Sequence, residues 1–178
     1  MLGHVRHEVG HFYFLRLIKS TRRLAPFRKL FGDEQVNYAT SLTRYYNEGP
    51  PTNYQDAFIS AYATMHPLED WAETWCHYLH MVDTLETATG YGLILKPPVQ
   101  HDPSLTDHTP VERSSFQSLV HRWHPLTYAI NGLGRSLGVP DAYPFSLSPT
   151  VIAKLAFVHR VVHSAARSYK ANAGQPQR

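Results

Sequence analysis

The run His7-Glu8-Val9-Gly10-His11 constrains this chain more than any other stretch. Two imidazoles four residues apart meet only on a helix, where positions i and i+4 are neighbours on one side. On a strand the same spacing would set them roughly 13 Å apart. On a helix both can bind one Zn²⁺, and Glu8, one step round, can reach a water on the metal without ligating it. The flanking residues point the same way. Leu2, Val5, Val9, Phe12, Leu15 and Ile18 recur in steps of three and four, tracing one apolar face from Leu2 to about Ser20. Gly10 gives that helix a smooth spot for close packing. With 12 His among 178 residues, the HExxH pattern arises by accident in roughly 3 of 100 shuffles of this composition. Coincidence is a poor account of it.

The rest of the chain has the material for a core around such a helix. Apolar residues are 43% and charged residues 17%, which excludes wholesale disorder. No apolar run approaches the roughly 18 to 20 residues that span a bilayer. The opening residues carry no basic-then-apolar leader, and a single Cys, Cys76, excludes an intramolecular disulfide framework or a multi-Cys zinc finger. The expected location is the cytoplasm. Net charge, 17 − 14 = +3, is mild.

Helical periodicity and breakers predict a second helix over about Glu34–Asn47, stopped by Gly49-Pro50-Pro51, and a third over Tyr54–Met65 with Phe58, Ile59 and Tyr62 on its apolar side. Pro67 suits the first position of a fourth, Leu68 to about Ala88, with Leu68, Trp71, Ala72, Trp75, Leu79 and Val82 as its buried stripe. Residues 90–112 are Pro-rich and irregular. Helices follow over Arg113–Trp123, after Pro125 up to about Gly138, and from Ser148-Pro149 through Tyr169. Strand-like alternation is almost absent. The expectation is one mainly α domain over residues 1–170, with residues 171–178 as a disordered tail.

A zinc hydrolase needs a third protein ligand and an open fourth position. No HxxGxxH continues the first motif, so a later helix must supply the ligand. His66-Pro67-Leu68-Glu69-Asp70-Trp71-Ala72-Glu73 offers Glu69 and Glu73 at i and i+4 on one face, where two carboxylates repel unless a cation or donor lies between them. Glu69 is assigned as the ligand and Glu73 as the group behind it, holding a histidine by its second nitrogen, with His80 in the same outer ring. Glu69, Glu73, His77 and His80 fall at about 0°, 40°, 80° and 20° around the helical wheel, so Glu73 with His77 or His80 remains an alternative ligand pair. Tyr62, His66, His77 and His80 are the groups available to hydrogen-bond an oxyanion, and Tyr62, about two turns before Glu69, is assigned that role.

The segments GHVRHEVGHFYF, FRKLFGDEQVNYATSL, SAYATMHPLEDWAETWCHYLHMVDTL and PLTYAINGLGRSLGVPDAYPFSLSPTVIAKLAFVH resemble successive blocks of a bacterial family of zinc-binding metallopeptidases, a zincin-like group. The resemblance covers most of residues 3–163, and its EDWAETW block is far more specific than HExxH. It implies a zincin-like catalytic domain with His7, His11 and a Glu of the EDWAE block on zinc and Glu8 as base. The Glu-x-x-x-Glu spacing with a Tyr seven residues earlier is similar to that of lethal-factor-like gluzincins, which favours Glu69 as ligand and supports Tyr62. Such families usually carry an N-terminal part, and zincins place a β-sheet before the active-site helix. This chain reaches HExxH at residue 7. It is therefore expected to lack the upstream sheet, which a missing N-terminal segment or a partner would supply.

The expected function is zinc-dependent hydrolysis of a peptide or protein substrate, with Glu8 taking the proton of a zinc-activated water. The alternative is a non-catalytic zinc-binding scaffold, or a truncated and inactive homologue. A nucleic-acid or regulatory role is suggested only by Lys154, His159, Arg160, His163, Arg167 and Lys170 on the final helix, which read more simply as a solvated basic face. No membrane contact is expected.

Overall fold

The computed structural model describes residues 1–99, 102–143 and 147–173. Among them are six helices: α1 (Leu2–Leu17), α2 (Leu24–Phe31), α3 (Tyr38–Glu48), α4 (Pro67–Gly90), α5 (Phe116–Ser136) and α6 (Pro149–Ala173). There is no strand among these residues, only an isolated antiparallel bridge between Leu95 and Leu105. The mainly α expectation holds. Among the described residues no helix is long and apolar enough to cross a membrane. The chain divides into two compact units, one of Met1–Tyr78 with Ser148–Arg178 and one of Leu79–Leu147, the division falling inside α4. The expected tail overlaps residues 174–178, which lie outside the described residues.

The first unit is built round Trp71, which is fully buried. Its indole has Phe31 at 5.8 Å, Phe27 at 6.1 Å, Phe157 at 6.1 Å and Trp75 at 5.6 Å between ring centres. Offset and edge-on pairs at such distances each add to the gain from burial. These rings come from α2, α4 and α6. Helix α1 joins through Phe14, whose ring lies 5.0 Å from Phe27, and through Gly10. A Cβ on Gly10 would sit 3.0 Å from the Ala72 Cα and 3.2 Å from the Trp75 Cβ, so only glycine permits this approach. The Trp71 indole N–H donates to the Gly10 carbonyl at 2.8 Å, locking the contact.

The buried side of α1 is His7, Gly10 and Phe14, continued by Ile18. This corrects the expected apolar face, because Leu2, Val5, Phe12 and Leu15 are each between 54% and 60% exposed. Both stripes have helical spacing. The one with the glycine faces α4, since only there can the two backbones come close enough to bond.

Three other expectations change. Helix α2 was not anticipated because Pro26 reads as a breaker, yet it is the third residue of α2, where backbone N–H groups have no intrahelical partner to lose. Helix α3 begins at Tyr38 rather than Glu34. Asp33 accepts from the Gln35 N–H and Arg28 takes the Glu34 carboxylate at 2.6 Å, so these residues form a turn, and Asn37 caps the helix by accepting from Thr40. The helix expected over Tyr54–Met65 is two 3-10 turns, Tyr54–Asp56 and Tyr62–Thr64. Its backbone is claimed by side chains: Lys154 donates to the Ala57 carbonyl at 2.7 Å, and the Ser60 hydroxyl accepts from the Ala63 N–H.

Helix α6 does not present one basic face. Lys154 is buried and donates to the Asp70 carboxylate at 2.6 Å. His159 is also buried, with its Nδ1 3.0 Å from the Tyr78 hydroxyl. Burial, with His163 and Arg160 nearby, holds its imidazole down at about 4. Arg160 and Arg167 face solvent, and the Lys170 side chain lies outside the described residues.

In the second unit α5 is one helix across Pro125, where two were expected. The helix runs on past Pro125, and Thr127 hydrogen-bonds back to the Trp123 and His124 carbonyls, both at 3.0 Å. Asn131 fastens the following loop by bonding Ala142 and Tyr143.

Two outcomes follow from these contacts. Lys154→Met should lose about 3–5 kcal/mol by leaving Asp70 buried without its cation, and adding Asp70→Leu should recover most of that. Urea unfolding midpoints check both; an unchanged midpoint for Lys154→Met would show the pair to be inert. Gly10→Val should cost at least about 1–3 kcal/mol through overpacking against α4, again as a lowered midpoint.

Candidate metal centre

Where α1 crosses α4, both motifs contribute side chains to one point. His7 Nε2 lies 3.1 Å from His11 Nε2 and 3.0 Å from Glu69 Oε2, while His11 Nε2 lies 3.3 Å from Glu69 Oε1. Among the described residues, His7, His11 and Glu69 form the group able to hold a metal, with one ligand atom from each within 4.8 Å of the others. His77 and His80 are not in it. For tetrahedral zinc with bonds of about 2.0–2.2 Å, ligand atoms are expected roughly 3.3 Å apart. The donor set and its spacing therefore fit zinc.

The hydrogen bonds behind the cluster strengthen the fit. Glu73 turns away from the Nε2 atoms and takes the other nitrogen of His7, Nδ1, at 2.6 Å, while Ser60 donates to its second oxygen at 2.6 Å. With its Nδ1 proton on Glu73, neutral His7 points a lone pair from Nε2 at the acceptors of His11 and Glu69. Converging acceptors demand positive charge between them. In the metal-free chain a proton meets that demand. Hydrogen bonds to Glu69 and Glu73 raise His7 to about 9. Burial pushes Glu69 up, but His11 and His7 outweigh it and hold the carboxyl at about 2. Glu73 is likewise lowered, its burial outweighed by His7 and Ser60.

A cleft of about 660 Å³ opens over the cluster, its walls including His4, Glu8, Tyr38, Tyr62, Leu68 and Cys76. The Glu8 side chain is 58% exposed and 3.8 Å from His4, and it is not in the cluster. The Tyr62 ring stands 6.1 Å from that of His7, on the second 3-10 turn rather than on the apolar side of a helix. Burial and the nearby Glu69 charge raise both Tyr38 and Tyr62, so both phenols remain proton donors. Cys76 is pushed up to about 11, first by burial and then by Glu73, which leaves a protonated thiol.

Sequence reasoning missed three participants. Ser60 supports Glu73, and Lys154 anchors the backbone just before it. Tyr38 donates to Glu69 Oε1 at 3.1 Å. None has a spacing relation to HExxH, because each arrives through turns and distant helices. His66, expected among the oxyanion groups, is otherwise engaged: Nε2 bonds the Val36 carbonyl at 2.9 Å and Nδ1 accepts from the Leu68 N–H at 3.1 Å. It is buried and starts α4. His77 and His80 are half-buried on α4, and His80 falls in the second unit.

Comparison with known proteins places these residues in a family. Residues 1–161 match the family described as "Putative zinc-binding metallo-peptidase". Curated relatives carrying the name "Uncharacterized protein" in Mycobacterium bovis and two strains of Mycobacterium tuberculosis are 44% identical over 171 residues. The match takes in 96% of this chain and 48% of each relative, so the chain spans about half the length of those proteins. No solved structure matches. With nine-tenths of its length matched, the HExxH helix and the EDWAE helix included, the chain belongs to this family of zinc-binding metallopeptidases.

Proposed function

We propose that the chain hydrolyses peptide bonds at a zinc site held by His7, His11 and Glu69, with Glu8 as the general base. The observation that carries this reading is the convergence of His7 Nε2, His11 Nε2 and the Glu69 carboxylate, with contacts of 3.0–3.3 Å through one or other carboxylate oxygen, beneath an open cleft that Glu8 lines. Zinc, when bound, supplies a Lewis acid that polarises a carbonyl and makes water nucleophilic near neutral pH.

The chain's own residues then divide the remaining work. Glu8, beside the cluster but outside it, accepts the proton of the attacking water and returns it to the leaving amine. Tyr62 donates a hydrogen bond to the oxygen that becomes negative as the carbonyl is attacked. Glu73 fixes the His7 tautomer through Nδ1, keeping Nε2 free to ligate, and Ser60 fixes Glu73. The substrate class is a peptide or protein, in keeping with the family's description. A zinc-binding scaffold without catalysis is the second reading, favoured by the Glu8 side chain, which is 58% exposed and stands outside the group of ligand residues.

Glu8→Gln separates the two. It should keep full zinc content while hydrolysis of a peptide library falls by about 10²–10⁴-fold; equal turnover in the variant would sink the assigned role of Glu8, and no turnover in the parent would favour the scaffold. Metal analysis of two further variants tests the ligand assignment. Glu69→Ala should lose stoichiometric zinc, whereas Glu73→Ala should bind it about 10–100-fold more weakly. The reverse ranking would make Glu73 the ligand.

A further inference from the structure

We infer that Tyr38 is a positioning residue for the Glu69 ligand, which leaves Tyr62 as the phenol that serves substrate in this cleft. The inference rests on the zinc reading above.

A phenol has one proton and two lone pairs, whereas a carboxylate has only acceptors. The Tyr38 hydroxyl lies 3.1 Å from Glu69 Oε1 and donates its proton to it. Tyr38 thereby occupies a lone pair of Oε1 and leaves Oε2, which faces His7 Nε2 at 3.0 Å, as the freer oxygen. The carboxylate is biased toward binding a cation through one oxygen, which keeps a coordination position open.

Tyr38 is also held where it cannot easily leave. It is the first residue of α3, just after the Asn37 cap. The preceding residue, Val36, is tied by its carbonyl to His66, and the His66 ring packs 5.2 Å from the Tyr38 ring. His66 in turn bonds Leu68, next to Glu69 on α4. One tether therefore fixes the phenol and the carboxylate it serves. Tyr62 sits on a short 3-10 turn with its ring 6.1 Å from that of His7, where its hydroxyl can serve substrate while Tyr38 stays on Glu69.

The test uses the full chain, Tyr38→Phe and Tyr62→Phe, with zinc affinity from competition against a chromophoric chelator and the visible spectrum of the cobalt-loaded protein. Tyr38→Phe removes one oxygen and keeps the ring that packs on His66. It should weaken zinc by about 10–100-fold and alter the cobalt d–d bands as Glu69 is freed to bind through both oxygens, with the metal-free unfolding midpoint unchanged. Tyr62→Phe should keep parental zinc affinity and cobalt spectrum while lowering kcat more than it changes KM. Parental affinity and spectrum in Tyr38→Phe would overturn the inference, as would an equal loss of zinc in Tyr62→Phe. A parent chain that binds neither metal would fail the zinc reading itself, and this inference with it.

Discussion

The separation of α1 and α4 at Gly10 is the constraint on which the rest of the first unit depends. Both histidines of the cluster stand on α1 and both carboxylates on α4, so the gap between the helix axes fixes every distance between them. That gap is set without any contribution from the cluster. A missing side chain lets the backbones touch, and the bond from Trp71 to the Gly10 carbonyl holds them there. Trp71 is itself fixed by aromatic rings from three helices, so the position of the metal ligands is transmitted from the centre of the core. In the metal-free chain a proton on His7, bonded to Glu69 and Glu73, ties the cluster together, within a helix spacing that packing at Gly10 and Trp71 sets.

Helix α4 carries this division along its sequence. Glu69 faces the cleft, Asp70 faces the core and grips Lys154, Trp71 centres the aromatic cluster, and Glu73 returns to the cleft. Lys154 passes the hold on to Ala57, and three residues later Ser60 bonds Glu73. The irregular backbone of residues 57–64 is thus pinned at Ala57 and at Ser60 by contacts that lead to α4. Ordered, non-helical backbone of this kind is what places Tyr62 beside His7. A regular helix would have returned its hydrogen bonds to itself and left no reason for the ring to point there.

Local periodicity made the helices and the two motifs legible, because i and i+4 neighbours are decided by the backbone alone. It also misled at α1, where an apolar stripe and the histidine face have the same spacing. Which of them is buried depends on a partner helix more than 60 residues away. Pro125 misled for a related reason, since whether a proline ends a helix is decided by surroundings that the local sequence does not show. Tyr62 was reachable from its place about two turns before Glu69, and the seven-residue offset in a resembling family supported it. Tyr38, Ser60 and Lys154 were not reachable, since their partners are chosen by chain crossings that no spacing rule encodes.

The way α1 is buried has a consequence for how the chain comes apart. Only His7, Gly10, Phe14 and Ile18 of the helix and its cap are sealed from solvent, and the long apolar side chains lie outside. By area this is a lightly anchored helix, the sort that opens before the rest of a domain does. A cation shared by His7 and His11 on one helix and Glu69 on the other would act as a cross-link between them, so ligation and tertiary docking become one event. Chelation should then loosen α1 selectively while the aromatic centre stays shut. The metal would serve as the last rivet of the fold as well as its chemistry.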